Sequence, residues 1–545
     1  MHDIVTYFML MGALSTTGEL PFWATANRGC IMPDGSGAVA LASARSSFDE
    51  SRTFQWQWAA SAAVNYAQDL QPVSSHPELV SSHPELVSSH PELVSGPPSL
   101  SAMIDELYIS ARWKVLRADV GMQRREREFT AGETLKQSRI AVRDDVVQDD
   151  VVQGDVVQGD EISLRHAELV SASPIWGSLS STEGHIVESN NARPMPGIRL
   201  SLEPVAVPWT GGHLKIWGSW GDYMTLDDRY VDGALVHRVR GYLRYDISEH
   251  WFVQAGLDHY AIWGGTSPEY GVLPVTFENY LRVATGLKAG SGGPAIDREN
   301  VLGDQGGAEQ LRLGWKGNGK SVTFQYEKPY NDKSGMKFAN MPDGVYTLHL
   351  GFDDKSRWIS DVVLEGKYTM WQSGTFHDPN GRIDGNAEYY GGYYLGCDNY
   401  FWNGEFKSGW THFGRAICDP QFYTGEVYGV WSVYNTRFKA VHLGIGGKLF
   451  HVAPYRLMVT QSWNYGSYWA PYVGESTYAT TWKWWQRNTV DKPLPQFCLG
   501  LDAALPLHEI SRIGLPLSIV GGLYLDHGRA LGNSFATTIG LSLAL

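Results

Sequence analysis

Cysteine is scarce in this chain of 545 residues. There are four, Cys30, Cys397, Cys418 and Cys498, with no CxxC or Cys/His spacing among them, so neither a zinc site nor a dithiol redox motif is expected. Any run of 18 or more apolar residues is also missing, which removes a helical membrane span. It leaves a barrel span open, because strands cross a bilayer with short alternating segments. Charge is thin as well: charged residues make up 19%, with Lys+Arg 44 against Asp+Glu 58 and a formal net charge of -14. No basic patch stands out to hold a phosphate backbone, so nucleic acid is not an expected partner. Nucleophile elbow, P-loop and zincin helix are all absent. Asp332, Lys333 and Ser334 are adjacent, but neighbours on an extended chain point to opposite sides. No carboxylate pair stands out for glycoside hydrolysis. Neither an enzyme nor a cofactor is expected.

What the chain has in abundance is glycine and aromatics: Gly 60, Trp 21, Tyr 28 and Phe 19, a β-rich composition. Period-2 alternation dominates throughout. Phe54, Trp56, Trp58, Ala60, Ala62, Val64 and Tyr66 share one face against Gln55, Gln57, Ser61 and Asn65. Leu107, Ile109, Ala111 and Trp113 oppose Glu106, Tyr108, Ser110 and Arg112. Val239, Gly241, Leu243 and Tyr245 oppose Arg238, Arg240, Arg244 and Asp246, while Val362, Leu364 and Tyr368 oppose Asp361, Glu365 and Lys367. One face is apolar and the other charged. Trp56, Trp58, Trp113, Trp209, Trp251, Trp263, Trp358, Trp371 and Trp463 fall near the ends of apolar faces, as the aromatic girdles of a membrane barrel require. At the carboxyl terminus Phe535, Thr537, Ile539, Leu541, Leu543 and Leu545 alternate to the last residue. A strand there is expected to pair with the first and close the sheet.

Two low-complexity insertions interrupt this pattern, at about 70–99 and 130–185. The first holds three SSHPELV heptads from Ser74 to Val94, whose regularly spaced proline excludes a coiled coil. The second holds DDVVQ-type pentads from Asp144 to Asp160 and the related HAELVSASP. Both read as solvated loop insertions. Ile4–Leu14 reads as a first strand rather than an export signal, since it lacks a basic n-region and a small-residue cleavage site. Residues 1–545 thus read as a single domain. Without the insertions roughly 430 to 450 residues remain, enough for a transmembrane barrel in the upper teens of strands with long extracellular loops.

Chemistry is expected where alternation fails. The strongest such stretch is Glu388–Phe413, continuing to Phe422, rich in Tyr, Trp, Gly, Asn and Asp. Flat aromatic faces stack on pyranose rings and polar side chains bind hydroxyls, so Asp398, Asn399, Tyr400, Trp402, Trp410, His412 and Arg415 are candidate saccharide ligands. The same composition also suits a packed loop whose aromatics bury one another. Cys397 and Cys418 flank the segment. Further irregular stretches are Asn190–Pro196, Trp263–Pro268, Asn279–Arg282, Gly303–Gly307 and Asn331–Phe338.

Taken in order, ELPFWATANR, SNNARPMPGIRL, EPVAVPWTGGHLKIWG, YAIWGGTSP, NYLRV, NVLGDQGG, PYNDKSGMKF, DNYFWN, SGWTHFGRAI and YRLMVTQSWNYGSYWAP resemble the Wzi-type capsule assembly proteins, in the branch with long divergent loops. The resemblance spans nearly the whole chain outside the two insertions. It implies an all-β, antiparallel outer-membrane β-barrel of about eighteen strands, closed by internal elements, whose outer face acts as a lectin that retains capsular polysaccharide. It brings no catalytic residues. Its expected partners are surface polysaccharide, outer-membrane lipid and, during biogenesis, the barrel-assembly machinery, with the protein a monomer in the outer membrane of a Gram-negative bacterium. The repeat arrays, the lack of an export signal and the non-aromatic Leu545 depart from the pattern. A porin-like channel is the alternative, with Arg238, Arg240, Arg244, Asp361 and Glu365 as lumen residues.

Overall fold

The computed structural model describes residues 4–49, 51–67, 99–125, 127–129, 177–290, 301–331, 333–338, 340–372, 399–427, 429–467, 472, 492–510 and 515–545. Both repeat arrays lie outside them. Eighteen strands form one closed antiparallel sheet: β1 (Ile4–Ser15), β2 (Gly37–Ser46), β3 (Phe54–Ala67), β4 (Ser99–Trp113), β5 (Leu116–Met122), β6 (Pro196–Ala206), β7 (Leu214–Met224), β8 (Leu235–Asp246), β9 (Trp251–Trp263), β10 (Asp304–Gly317), β11 (Lys320–Tyr330), β12 (Gly344–Phe352), β13 (Asp361–Tyr368), β14 (Arg437–Leu449), β15 (Ala453–Gly466), β16 (Leu494–Pro506), β17 (Leu517–Gly528) and β18 (Ser534–Ala544). Each pairs with its sequence neighbour, and β18 pairs with β1 from Tyr7 opposite Ala544 to Ser15 opposite Ala536. Thr6 and Leu545 exchange backbone hydrogen bonds of 2.8 Å. The seam expected from the terminal alternation is thereby made, and the sheet keeps no free edge.

Tight turns gather at one end of the barrel and long connections at the other. Asn318 and Gly319 join β10 to β11 with φ of 52° and 70°, the pair of left-handed residues a two-residue hairpin needs to match strand twist. Between β1 and β2, β5 and β6, β9 and β10, and β13 and β14 the connections are long, and all lie at the opposite end.

The barrel is apolar outside and polar inside. Phe8, Leu10, Ile109, Val120, Leu200, Leu243, Leu313, Leu364, Ile519 and Leu541 are exposed on the outer wall, whereas Gln55, Asp119, Arg238, Gln310, Glu365, Lys367, Arg456 and Asp502 are buried within. A water-soluble barrel would bury the first set; a bilayer solvates it. Phe54, Trp113, Trp209, Tyr245, Trp251, Trp358 and Phe450 are exposed around the tight-turn end, and Tyr66, Trp220, Trp463 and Phe535 toward the other. Trp263, expected in that second ring, is instead buried beneath a helix, Phe277–Ala284. The irregular reading of Gly303–Gly307 is also corrected: β10 begins at Asp304.

In β4 an extra residue shifts the register, with Glu106 opposite Ser61 and Ile104 opposite Ala62. This bulge turns two consecutive side chains, Asp105 and Glu106, into the lumen, where alternation alone would admit one.

Candidate functional site

The lumen is filled. Residues 177–195 run across it, almost wholly buried, and are tied to the wall on successive sides. The Arg456 guanidinium of β15 donates to the Ser178 carbonyl at 3.1 Å, and His442 of β14 donates through Nε2 to the Leu179 carbonyl at 2.9 Å. Glu365 of β13 accepts from the Ser180 hydroxyl at 2.5 Å and the Ser181 amide at 3.1 Å. Farther round, Glu327 of β11 accepts from the Ile186 amide at 2.8 Å, and Gln325 donates to the Gly184 carbonyl at 2.8 Å. The crossing ends at β8, where Glu188 pairs with Arg238 and Arg240, and with Arg125 at 3.4 Å. The 177–185 portion, read from sequence as part of a solvated insertion, is therefore structural. Its small residues let the backbone reach the wall, and its carbonyls and hydroxyls match the polar side chains that alternation turns inward.

Two more segments complete the plug. Residues 123–129 supply Arg124, which pairs with Asp105 of the bulge and takes Glu106 through its backbone amide at 2.9 Å, and Glu128, which pairs with Arg312 and, at 3.0 Å, with His185. Residues 16–36 supply Arg28, whose guanidinium donates to Asp502 at 2.9 Å. Asp502 also accepts from Arg456 at 2.6 Å and from the Tyr524 hydroxyl at 2.5 Å. Burial would raise the Glu128 carboxyl, but Arg312 and His185 hold it well below the usual carboxylate range. Burial and the nearby Arg125 cation push the His185 imidazole down to about 4 despite Glu128. Against β5–β8 the plug leaves a cavity of about 50 Å³ lined by Arg124, Arg125, Arg193, Arg199, Arg238 and Arg240, with Asp119 and Glu188.

Over the plug, residues 399–427 and 429–436 form a packed layer. Trp410 lies flat on Tyr260 of β9, and Phe401 meets Phe422 edge to face at 4.8 Å. Tyr400 is buried with its hydroxyl donating to Asp343 at 2.7 Å. Burial pushes the Asp343 carboxyl up to about 7, although the amides of Trp371 and Gln372 and the Tyr400 hydroxyl all donate to it. Asn399 is buried and accepts from the Thr436 hydroxyl at 3.2 Å. His412 is buried between the Arg193 carbonyl, to which Nδ1 donates at 2.9 Å, and the Leu226 amide, from which Nε2 accepts at 3.2 Å. Desolvation keeps its imidazole below the ordinary value.

Of the seven saccharide candidates, then, Asn399, Tyr400, Trp410 and His412 have their polar groups and ring faces engaged by the protein itself. Trp402 and Arg415 remain partly exposed, and Arg415 donates to the exposed Asp34 at 3.0 Å. Asp398 and Cys397 lie outside the described residues, while Cys418 is buried and its thiol pushed well up by desolvation. Sequence reasoning did not select Phe413 and Trp431, which are exposed beside Arg415. The Arg193 guanidinium stacks on Phe413 at 4.1 Å, and the Trp431 indole donates to the Gly414 carbonyl at 2.8 Å. The plug charges Arg124, Arg125, Arg127 and Glu128 were likewise not selected. Their signal is the dense charge run that directly follows β5.

No family model matches the chain, and no curated protein matches it. Among solved structures it is similar to Wzi of Escherichia coli, described as an outer-membrane, carbohydrate-binding β-barrel involved in group 1 capsule assembly: 10% identity, 98% of this chain and 84% of that one, TM-score 0.49. It is also similar to OccAB2 of Acinetobacter baumannii (9% identity, 100% and 98% of the two chains, TM-score 0.41) and to the outer-membrane protein opdK of Pseudomonas aeruginosa (10%, 100% and 98%, TM-score 0.40). At such identities the likeness is one of fold alone.

Proposed function

We propose that this chain is an outer-membrane protein of a Gram-negative bacterium that holds surface polysaccharide on its extracellular loop layer and catalyses no reaction. The observation that supports this reading is the filled lumen: residues 177–195 are bound to β8, β11, β13, β14 and β15, so the loop layer is the surface left for a ligand. Trp402, Phe413, Trp431, Arg193 and Arg415 offer there the aromatic faces and cations that suit pyranose rings and their hydroxyl or acidic groups. Asp398, from the same stretch, belongs to the proposed contact set.

The test is the ratio of cell-bound to shed polysaccharide in a strain lacking the protein, with and without this chain behind a working export signal. Restored retention is the expected result. An unchanged ratio overturns the reading.

One observation favours a second reading, a channel for small anionic solutes. The arginine-lined cavity lies beside the plug, and a slight displacement of 177–195 would extend it. Planar-bilayer recording separates the two, because steady current from the unmodified protein requires an open path.

A further inference from the structure

On the outer wall of β7–β11, several ionisable side chains point away from the lumen. Asp222 and His237 lie opposite each other on β7 and β8 and share a hydrogen bond of 2.7 Å. Glu309 of β10 and Lys328 of β11 also lie opposite each other and pair at 3.0 Å. Their depth follows from strand geometry. His237 stands eight residues along β8 from the girdle residue Tyr245, and Lys328 eight along β11 from Lys320 at the tight turn. At ~3.4 Å per residue and a tilt of ~40° that is a rise of ~21 Å, within an apolar band ~25 Å tall. These groups therefore lie at the outer edge of the apolar band, beside the ring residue Trp220, where a bare charge costs less than at the midplane but is still partly desolvated.

They are not left to lipid. Helix Phe277–Ala284 lies over the first pair: Tyr280 donates to Asp222 at 2.9 Å, accepts from the Trp220 indole at 2.7 Å, and stands edge-on to His237 at 5.3 Å. Val283 is fully buried beside it. Residues 335–338 cover the second pair, with the Lys328 ammonium donating to the Gly335 carbonyl and lying 4.4 Å from the Phe338 ring. Beyond this cover both elements turn apolar side chains outward. Phe277 and Leu281, one helical turn apart, are 75% and 48% exposed, Phe338 is 53% exposed, and Met336 and Met341 are exposed beside it. Glu278 and Arg282, paired at 2.8 Å, occupy a separate polar stripe of the helix. A helix with one apolar arc shared between protein and surroundings, and a polar stripe apart from it, is built to lie in a membrane interface.

We propose that helix Phe277–Ala284 and residues 335–338 and 340–343 sit within the outer leaflet, as a collar whose Phe277, Leu281 and Phe338 contact the acyl chains of outer-membrane lipid. The inference rests on the membrane-barrel reading. On the same outer face of β9–β11 the wall residues Leu257, Leu311 and Phe324 are exposed as well, so one solvent serves both.

The test places a photoreactive benzoyl-phenylalanine, one site at a time, at Phe277, Leu281, Phe338, mid-wall Leu243 and loop-layer Trp431 in the full chain within outer-membrane vesicles. Only protein that keeps heat-dependent gel mobility is scored. Lipid adducts at the three collar sites within about twofold of the Leu243 yield, and little at Trp431, are expected. Collar sites that remain unlabelled while Leu243 reacts overturn the collar alone. So does capture of a protein chain, whether a second copy or a partner. Failure at Leu243 as well overturns the barrel reading together with it.

Discussion

Trp410 lies parallel on Tyr260, ring centroids 4.0 Å apart and planes 17° apart, and donates its indole N–H to the Val187 carbonyl at 2.6 Å. One side chain thus joins the loop layer, the barrel wall and the plug. Trp410→Ala removes a fully buried ring, its stacking and a hydrogen bond, and is expected to cost about 3–5 kcal/mol. The check is a lower temperature for loss of the fast-migrating folded band on gels. A variant as heat-resistant as the parent would deny this packing.

Trp402 is expected to behave oppositely. Being partly exposed, Trp402→Ala should leave heat resistance unchanged and weaken saccharide binding by about tenfold, the equivalent of ~1.4 kcal/mol. Arg415→Ala should act in the same direction. Binding of labelled polysaccharide to the reconstituted protein measures both. Equal affinity for all three proteins would remove these residues from the contact set.

Glu188 holds the β8 end of the plug against Arg125, Arg238 and Arg240. Glu188→Gln takes the carboxylate from Arg125 and leaves Arg238 and Arg240 to share Asp258, a loss of about 3–5 kcal/mol. Current steps through planar bilayers should appear in the variant and be absent from the parent.

Acid should loosen the same segment. The His185 imidazole is held down to about 4, against an ordinary value near 6.5. The folded plug therefore binds this proton less readily than the released one. Stability from neutral His185 is complete above about pH 6.5 and is lost as pH falls toward 4, by at most ~3 kcal/mol. Glu128, held low by Arg312 and His185, adds a loss of the same sign at lower pH. Conductance that rises between pH 7 and 4, with a flatter profile in His185→Gln, is the expected record.

The barrel was legible because bilayer and lumen impose opposite solvents on successive residues. Leu364 and Glu365, or Leu243 and Arg244, announce their faces by type alone. Where glycine replaces that signal the reading fails. Gly303–Gly307 looks irregular in sequence, yet Gly307 is a strand residue, and a Cβ there would come 2.0 Å from the Asp258 carbonyl. Helix Phe277–Ala284 was missed because it is eight residues long and its Thr276 cap, accepting from the Asn279 amide, stands among other loop-forming residues. For the proposed contact set the obstacle is different. Composition marked the 399–415 aromatics as a group, but whether a ring face meets solvent or another ring depends on partners far away in sequence, as Tyr260 is for Trp410. Only Trp402 and Arg415 keep partly open faces.

The bond between Arg28 and Asp502 spans 474 residues. The buried charge of the early plug segment is therefore matched by a strand belonging to the last stretch of the chain, and most of the wall has to be in register before that pair forms, although Asn65 of β3 also holds the Ile31 carbonyl. Contacts of such separation are slow to form. A sheet that closes with Arg28 still outside would leave Asp502 and Arg456 in the lumen without that partner. Order of assembly, and not strand pairing alone, thus decides whether the finished barrel is sealed.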